Sequence, residues 1–176
     1  RLAFRHYIEA GGGFVGVHSV TGTERKWDWF KMMVGETFTW HAKFQPFTVI
    51  NIDPAHPSMK GVPTKWTKED ECYFGAELYP GIKTLLMHDV STLDQAQKDL
   101  ITKHKGIYGN YFPAAWTQIF QGGHIWITTL GHAKENYQEP IYLNHLWQGI
   151  NYIAGQVKAI DYSKAISQGR DEGLRF

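Results

Sequence analysis

The alternation of apolar and polar positions changes period several times along this chain, and each change marks an element. Residues 2–10 (LAFRHYIEA) carry apolar side chains at 2, 3, 4, 7, 8 and 10, a helix-like stripe that stops at Gly11-Gly12-Gly13. Phe14-Val15-Gly16-Val17 is a short unbroken apolar run, as in a buried parallel strand, and leads directly into His18-Ser19. Residues 25–34 return to the helical period, with Trp29, Phe30, Met33 and Val34 on one face. Residues 47–52 (FTVINI) alternate and predict a strand, and Pro54, Pro57, Gly61 and Pro63 predict a loop after it. Two more strands are predicted over 72–74 and 82–88. Ser91 with Asp94 resembles a capping box and opens a polar helix to about residue 103. Residues 114–120 and 124–130 predict a hairpin joined through Gly122-Gly123. A last helix is predicted over 140–154, with Pro140 in its first turn and Gly155 as its stop.

Helix, strand, helix, strand, loop, strand, hairpin and helix is an α/β pattern. With 176 residues the chain amounts to about one domain, at ~150 residues per domain. The first helix has no strand before it to cross over from, so at least one earlier βα unit is expected outside this sequence. The boundary is expected near residue 160, with a polar tail over 161–176. A hydrophobic share of 43% beside 20% charged residues is a globular composition. Eighteen basic against seventeen acidic residues leave a net charge of +1, without the electrostatic footprint of a nucleic-acid partner. No apolar run approaches the ~18 residues of a membrane span. The lone Cys72 excludes an intramolecular disulfide and a multi-cysteine zinc site, and is expected to be an inert packing residue. The N-terminus carries neither Met nor a signal peptide, which leaves the compartment open between cytoplasm and periplasm or exterior.

Aromatic residues make up 15% of the chain and histidines number nine, a combination that suits a core but also a pocket stacking on sugar rings or bases. In open parallel sheets, ligands bind beyond the carboxyl ends of the strands. His18, His88 and His132 each lie at the end of a predicted strand. GFVGVHS also has the strand–turn–helix outline of a nucleophile elbow, with His18 where a hydrolase carries Ser or Cys. A neutral imidazole donates with one nitrogen and accepts with the other. His18 can therefore serve as acid or base, ligate a metal or bond a sugar hydroxyl; the plain alternative is a strand-end histidine bonded to backbone. Of the adjacent Asp70 and Glu71, one is expected to face the site and the other solvent. His56 before Pro57 reads as turn chemistry. A divalent metal such as zinc on His18, His41 and His132 is a further alternative, though no HxH, HExxH or i,i+4 histidine pair is present. No other cofactor is indicated.

Several separate blocks then resemble one family in order: GGGFVGVHS, WDWFKMMVG, FTWHAKFQ, HPSMKGVPTKWTKEDECYF, PAAWTQIFQGGHIWITTLGH and PIYLNHLWQGINYIAG. Together they make nearly all of residues 1–155 similar to the ThuA-like (trehalose-utilisation) family. The resemblance implies a flavodoxin-like, class I glutamine amidotransferase-like fold, a three-layer sandwich with a mainly parallel sheet whose opening βαβ portion is absent from this chain. It also implies that residues 1–160 form the C-terminal two-thirds or so of such a domain. By that comparison His18 takes the elbow position of the amidotransferase cysteine and His132 that of the later histidine. Glutamine hydrolysis is then not expected, since the thiolate is gone. The resemblance further places Glu71, His41, Gln45, Trp27 and Trp116 near the pocket, with Ser19 beside His18. Two departures stand out: Val20 where the family often has Ala, and a longer stretch over 100–112.

The function implied is a sugar-active protein of trehalose, glucoside or keto-sugar metabolism. His18 and His132 are the candidate acid and base, with Glu71 orienting one of them. Ser19, Trp27, His41, Gln45 and Trp116 are the candidate substrate contacts. The expected partners are a small-molecule carbohydrate, a sugar dehydrogenase that supplies a keto-sugar, and further copies of the chain in a homo-oligomer. The rival from another class is a non-catalytic carbohydrate-binding or assembly subunit on a decayed enzyme fold, and the third is a zinc-dependent enzyme.

Overall fold

A computed structural model describes residues 1–103 and 109–173. Its elements run α1 (Leu2–Glu9), β1 (Gly13–Val17), α2 (Asp28–Val34), β2 (Glu36–His41), β3 (Gln45–Asn51), β4 (Lys65–Asp70), β5 (Tyr73–Leu78), β6 (Lys83–Asp89), α3 (Gln95–Lys103), β7 (Tyr111–Phe120), β8 (Gly123–Thr128) and α4 (Pro140–Gln156). Six strands form one sheet in the order β1-β8-β7-β6-β3-β4, and β2 pairs with β5 in a separate antiparallel ribbon. The longer stretch expected over 100–112 falls partly on residues 104–108, outside the described residues. Among the described residues no helix is long and apolar enough to cross a membrane.

The expected α/β class holds, but the mainly parallel sheet does not. Only β1 and β8 pair in parallel, and the four other ladders of the large sheet are antiparallel. Parallel neighbours need a crossover of roughly a dozen residues or more, and the chain supplies none between β7 and β8. Phe120 pairs directly with Gly123. The two residues between them, Gln121 and Gly122, have φ of 47° and 95°, the left-handed pair that a tight hairpin turn requires. Unbroken apolar runs such as Ile125-Trp126-Ile127 report burial on both faces, and a central antiparallel strand has that burial too. Ile125 and Ile127 pack with Ile8, Trp29, Phe30 and Met33 on one face of the sheet. Trp126 enters the opposite core with Tyr142 and Ile153 of α4.

Two strands lack a hydrophobic signature. β4 reads KWTKED; beside the partly buried Trp66, its fully enclosed positions are Lys68 and Asp70, with Nζ and Oδ2 3.4 Å apart. β2 reads ETFTWH; it is irregular against β5 and begins with the buried Glu36. His56 behaves as expected, its Nδ1 accepting from the Ser58 amide (3.3 Å) at the turn before Met59. The C-terminal residues fold back on α1. The Arg5 guanidinium donates to the carbonyls of Arg170, Glu172 and Gly173, and Glu9 accepts from the amides of Ile166 and Ser167.

Candidate functional site

Four segments distant in sequence supply the side chains that meet beside the ends of β1 and β8. β1 ends at Val17, and His18 opens a 3₁₀ turn with φ of 50°, a left-handed conformation that histidine adopts at a cost on the order of 1 kcal/mol. Its Nδ1 donates to the Thr129 carbonyl at 3.0 Å. A carbonyl only accepts, so this bond fixes the tautomer and leaves Nε2 as a lone-pair acceptor. The Tyr73 hydroxyl donates to that Nε2 at 2.8 Å.

His132 lies beyond β8, on a loop that turns through Gly131 with φ of 108°. A Cβ at Gly131 would run into the Tyr142 hydroxyl, which itself bonds the Leu130 carbonyl at 2.9 Å. Asp70 anchors the same loop. Its carboxylate accepts from the amides of Gly131 (2.7 Å), His132 (3.0 Å) and Glu71 (2.9 Å), while Lys68 balances its charge from 3.4 Å. The expectation that one of the adjacent carboxylates faces solvent is thus corrected, since Asp70 is fully buried. Asp70→Ala is expected to destabilise the fold by on the order of 3 kcal/mol, because it strips three amides of their acceptor and leaves the buried Lys68 ammonium half-paired. Urea denaturation at pH 7 measures that loss.

Glu71 joins the pieces. Its Oε2 lies 3.0 Å from His132 Nδ1 and 3.8 Å from His18 Nε2, and its Oε1 lies 3.4 Å from His41 Nδ1. The two imidazoles also meet directly, with His132 Nδ1 3.3 Å from His18 Nε2. Their ring centroids are 5.3 Å apart in an edge-on arrangement. Glu71 and His18 are nearly buried, whereas the His132 side chain is 47% exposed, so the cluster opens to solvent on one side. Phe44 lies against His132, and Phe38 against His41 and Tyr73; both phenylalanines are half-buried. Burial and the nearby Glu71 carboxylate push the Tyr73 phenol well above its ordinary range, so it stays a donor at neutral pH. Two histidines and a carboxylate are also a donor set for a divalent metal, and one ligand atom from each of His18, Glu71 and His132 lies within 4.8 Å of the others.

The other sequence candidates stand at the edge of this cluster or away from it. His41 touches the cluster through Glu71, and its Nδ1 also lies 3.1 Å from the Ala42 carbonyl. Ser19 is exposed in the turn beside His18. Gln45 is held by Asp94, whose amide donates to its Oε1 at 2.8 Å, and by the Lys43 carbonyl. Trp116 is fully buried and donates to the Val34 carbonyl. Trp27 is buried between Trp29 and Phe30, donates to the Arg170 carbonyl, and lines a cavity of about 410 Å³ beside the C-terminal segment. His88 is enclosed in the core, with Nε2 3.2 Å from Thr129 Oγ1. Nothing in the sequence marked Tyr73 as a functional residue, and Asp70 stood out only as one of two adjacent carboxylates, without its anchoring role. The strand β5 and its facing partner β2 would have revealed Tyr73, because His41 and Tyr73 are paired across that ribbon.

The family model for trehalose utilisation, ThuA, matches residues 1–153. No curated protein sequence matches the chain. Among solved structures, a ThuA-like protein from Bacteroides uniformis ATCC 8492 is 20% identical with a TM-score of 0.71, covering 91% of this chain and 65% of its own. A ThuA-like protein from Parabacteroides merdae ATCC 43184 is 21% identical with a TM-score of 0.66, covering 89% of this chain and 65% of its own. A cytoplasmic protein from Salmonella typhimurium is similar at a TM-score of 0.55 and 13% identity, covering 86% and 58%. This chain thus spans about two-thirds of the length of the two ThuA-like structures. With the match running from its first residue through most of α4, the chain belongs to the ThuA (trehalose utilisation) family.

Proposed function

We propose that the protein is a carbohydrate-processing enzyme in which His18 and His132 act as acid and base on a sugar or keto-sugar, with Glu71 orienting His132. The observation that carries this reading is the convergence of two imidazoles, 114 positions apart, on one carboxylate at 3.0 and 3.8 Å. A carboxylate accepting the Nδ1 proton of His132 leaves the Nε2 of a half-exposed ring as the free basic atom. Phe44 offers an apolar face beside it, and Phe38 one beside His41 and Tyr73, each suited to the C–H face of a sugar ring. The elbow-like turn at His18 is consistent with the expected likeness to glutamine amidotransferases, in which the imidazole would take the place of a thiol. Membership in a sugar-utilisation family supports the substrate class.

The chemistry that fits is proton transfer beside a carbonyl. The base takes the proton from the carbon next to the carbonyl of a keto-sugar, the C–H electron pair moves into the new C=C bond of an enediol, and the acid protonates the carbonyl oxygen. Protonation of the former carbonyl carbon, as the neighbouring enediol hydroxyl gives its proton to the base and becomes the new carbonyl, isomerises the sugar. Alternatively the enediol hydroxyl returns its proton to the base, its electrons reform the carbonyl, and the double bond shifts to expel a substituent from the next carbon, which leaves with a proton from the acid. A dehydrogenase that oxidises a sugar hydroxyl would supply such a substrate.

The test is turnover of a panel of sugars and their keto derivatives by the full-length protein. His18→Ala and His132→Ala are each expected to lower kcat by about 10²- to 10⁴-fold. Full turnover by the double variant would end the assignment. Saturable sugar binding without any turnover would reduce the site to a binding pocket, the non-catalytic reading.

A further inference from the structure

We propose that His18 Nε2, His132 Nδ1 and Glu71 Oε2 are the protein ligands of a single divalent cation of the zinc class, held with an open fourth position. The three separations carry the argument: 3.3 Å between the two ring nitrogens, 3.0 Å from His132 to the carboxylate oxygen and 3.8 Å from His18 to it. Bonds of ~2.0–2.1 Å to a tetrahedral ion put neighbouring ligand atoms ~3.3–3.4 Å apart, a value these separations bracket. An octahedral ion with the same bonds would draw adjacent ligands to about 3.0 Å, shorter than two of the three.

The lone pairs are arranged accordingly. The Thr129 carbonyl takes the Nδ1 proton of His18 at 3.0 Å, so Nε2 is presented as a ligand, with a carbonyl partner behind it as metal-bound histidines have. The three Asp70 bonds fix the backbone on both flanks, at Glu71 on one side and at Gly131 and His132 on the other. Glu71 keeps Oε1 turned to His41 at 3.4 Å, so His41 steadies the carboxylate from outside the donor set. Without a cation, two acceptors, the His18 Nε2 and the carboxylate, converge on the one proton of His132 Nδ1, and the Tyr73 hydroxyl donates a second hydrogen to His18 Nε2 at 2.8 Å. A cation satisfies all three at once, and the Tyr73 hydroxyl then turns to whatever fills the open position.

Two histidines and one carboxylate with a vacant fourth site is the donor set of catalytic rather than structural zinc. The site opens on the side of the half-exposed His132, where vicinal sugar oxygens could reach the ion and be polarised by it. That consequence rests on the carbohydrate reading above; the binding itself does not. Cation and shared proton are alternative occupants of the same atoms, so metal content also decides which of them works on substrate.

The experiment is titration of chelator-stripped, full-length protein with Zn²⁺ by calorimetry and with Co²⁺ by visible absorption. One ion per chain is expected, with the intense spectrum of tetrahedral Co²⁺. Glu71→Gln, which keeps the side-chain volume, and His132→Ala are each expected to weaken binding by about a hundredfold or more, while His41→Ala leaves the Co²⁺ spectrum tetrahedral. Circular dichroism checks that each variant is folded. An absence of stoichiometric binding, a weak octahedral spectrum, or equal affinity in the folded Glu71→Gln variant overturns the proposal. Tight binding with no turnover of any sugar sinks the carbohydrate reading and leaves this one standing; turnover by protein that takes up no ion does the reverse.

Discussion

Acidification below pH 6.5 is expected to unfold this protein, because two histidines are sealed in its core as neutral rings. Both are fully buried, and burial pushes each down to about 3 from an ordinary 6.5. The hydrogen bonds agree with the neutral form. Thr129 and Thr128 give their hydroxyl protons to the Ala114 carbonyl and so accept from Nε2 of His88 and His145, at 3.2 and 3.1 Å. Among the described residues Nδ1 of each ring has no hydrogen-bond partner, so a proton arriving there would find no acceptor. The unfolded chain takes up these protons below pH 6.5 and the folded chain does not. Stability therefore rises with pH through this window and is lost on the way down, by about 1.4 kcal/mol per pH unit for each ring. At pH 4 the pair removes on the order of 7 kcal/mol relative to pH 6.5, of which the buried Glu36 returns about 3, and the net loss is comparable with the lower end of the ~5–15 kcal/mol that holds a domain together. Urea midpoints measured from pH 7 to pH 4 check this. His88→Gln and His145→Gln should each lower the acid slope by one proton, and a wild-type midpoint unchanged over that range would refute the argument.

The second large effect has the opposite sign and comes from Glu36. Its carboxyl is almost completely enclosed, neither oxygen has a hydrogen-bond partner among the described residues, and desolvation pushes it up to about 8 from 4.5. Its side chain lies over Gly75, in the space that a Cβ there would occupy. Between pH 4.5 and 8 the unfolded chain carries this charge and the folded chain does not, so stability falls as the pH rises through that window. Against the histidines, Glu36 places the maximum of stability near pH 6.5. Glu36→Gln removes the ionisation while keeping the shape. Between pH 5 and pH 8 the variant is expected to gain on the order of 4 kcal/mol on the wild type, read as a divergence of urea midpoints. Parallel curves over that range would mean that Glu36 is charged in the folded protein.

The same physics explains what could be read from the sequence. Amphipathic stripes predicted α2 and α4, and apolar runs predicted β1, β6, β7 and β8, because burial of apolar side chains leaves a periodic trace. β4 left none, since its buried positions are Lys68 and Asp70, which the interior tolerates only as a bonded pair. β2 was silent for a similar reason, with Glu36 at its buried start. At the site, His18 was legible from the strand and turn around it, and His132 from the strand before it. Tyr73 and the anchoring role of Asp70 were not, because a hydroxyl reaching His18 and a carboxylate gathering three amides depend on contacts between segments tens of residues apart.

By itself the sequence determined the family, the α/β class, and the strand ends that carry the two imidazoles, because these follow from local order along the chain. Strand direction was beyond it, since a run buried on both faces looks the same in a parallel or an antiparallel sheet. Only the tertiary structure decided that the six-stranded sheet is mostly antiparallel, that Trp27 and Trp116 belong to the interior, and that Glu71 bridges His18 and His132. Distances of 3 to 4 Å between side chains are set by packing between elements, and no spacing along the chain encodes them.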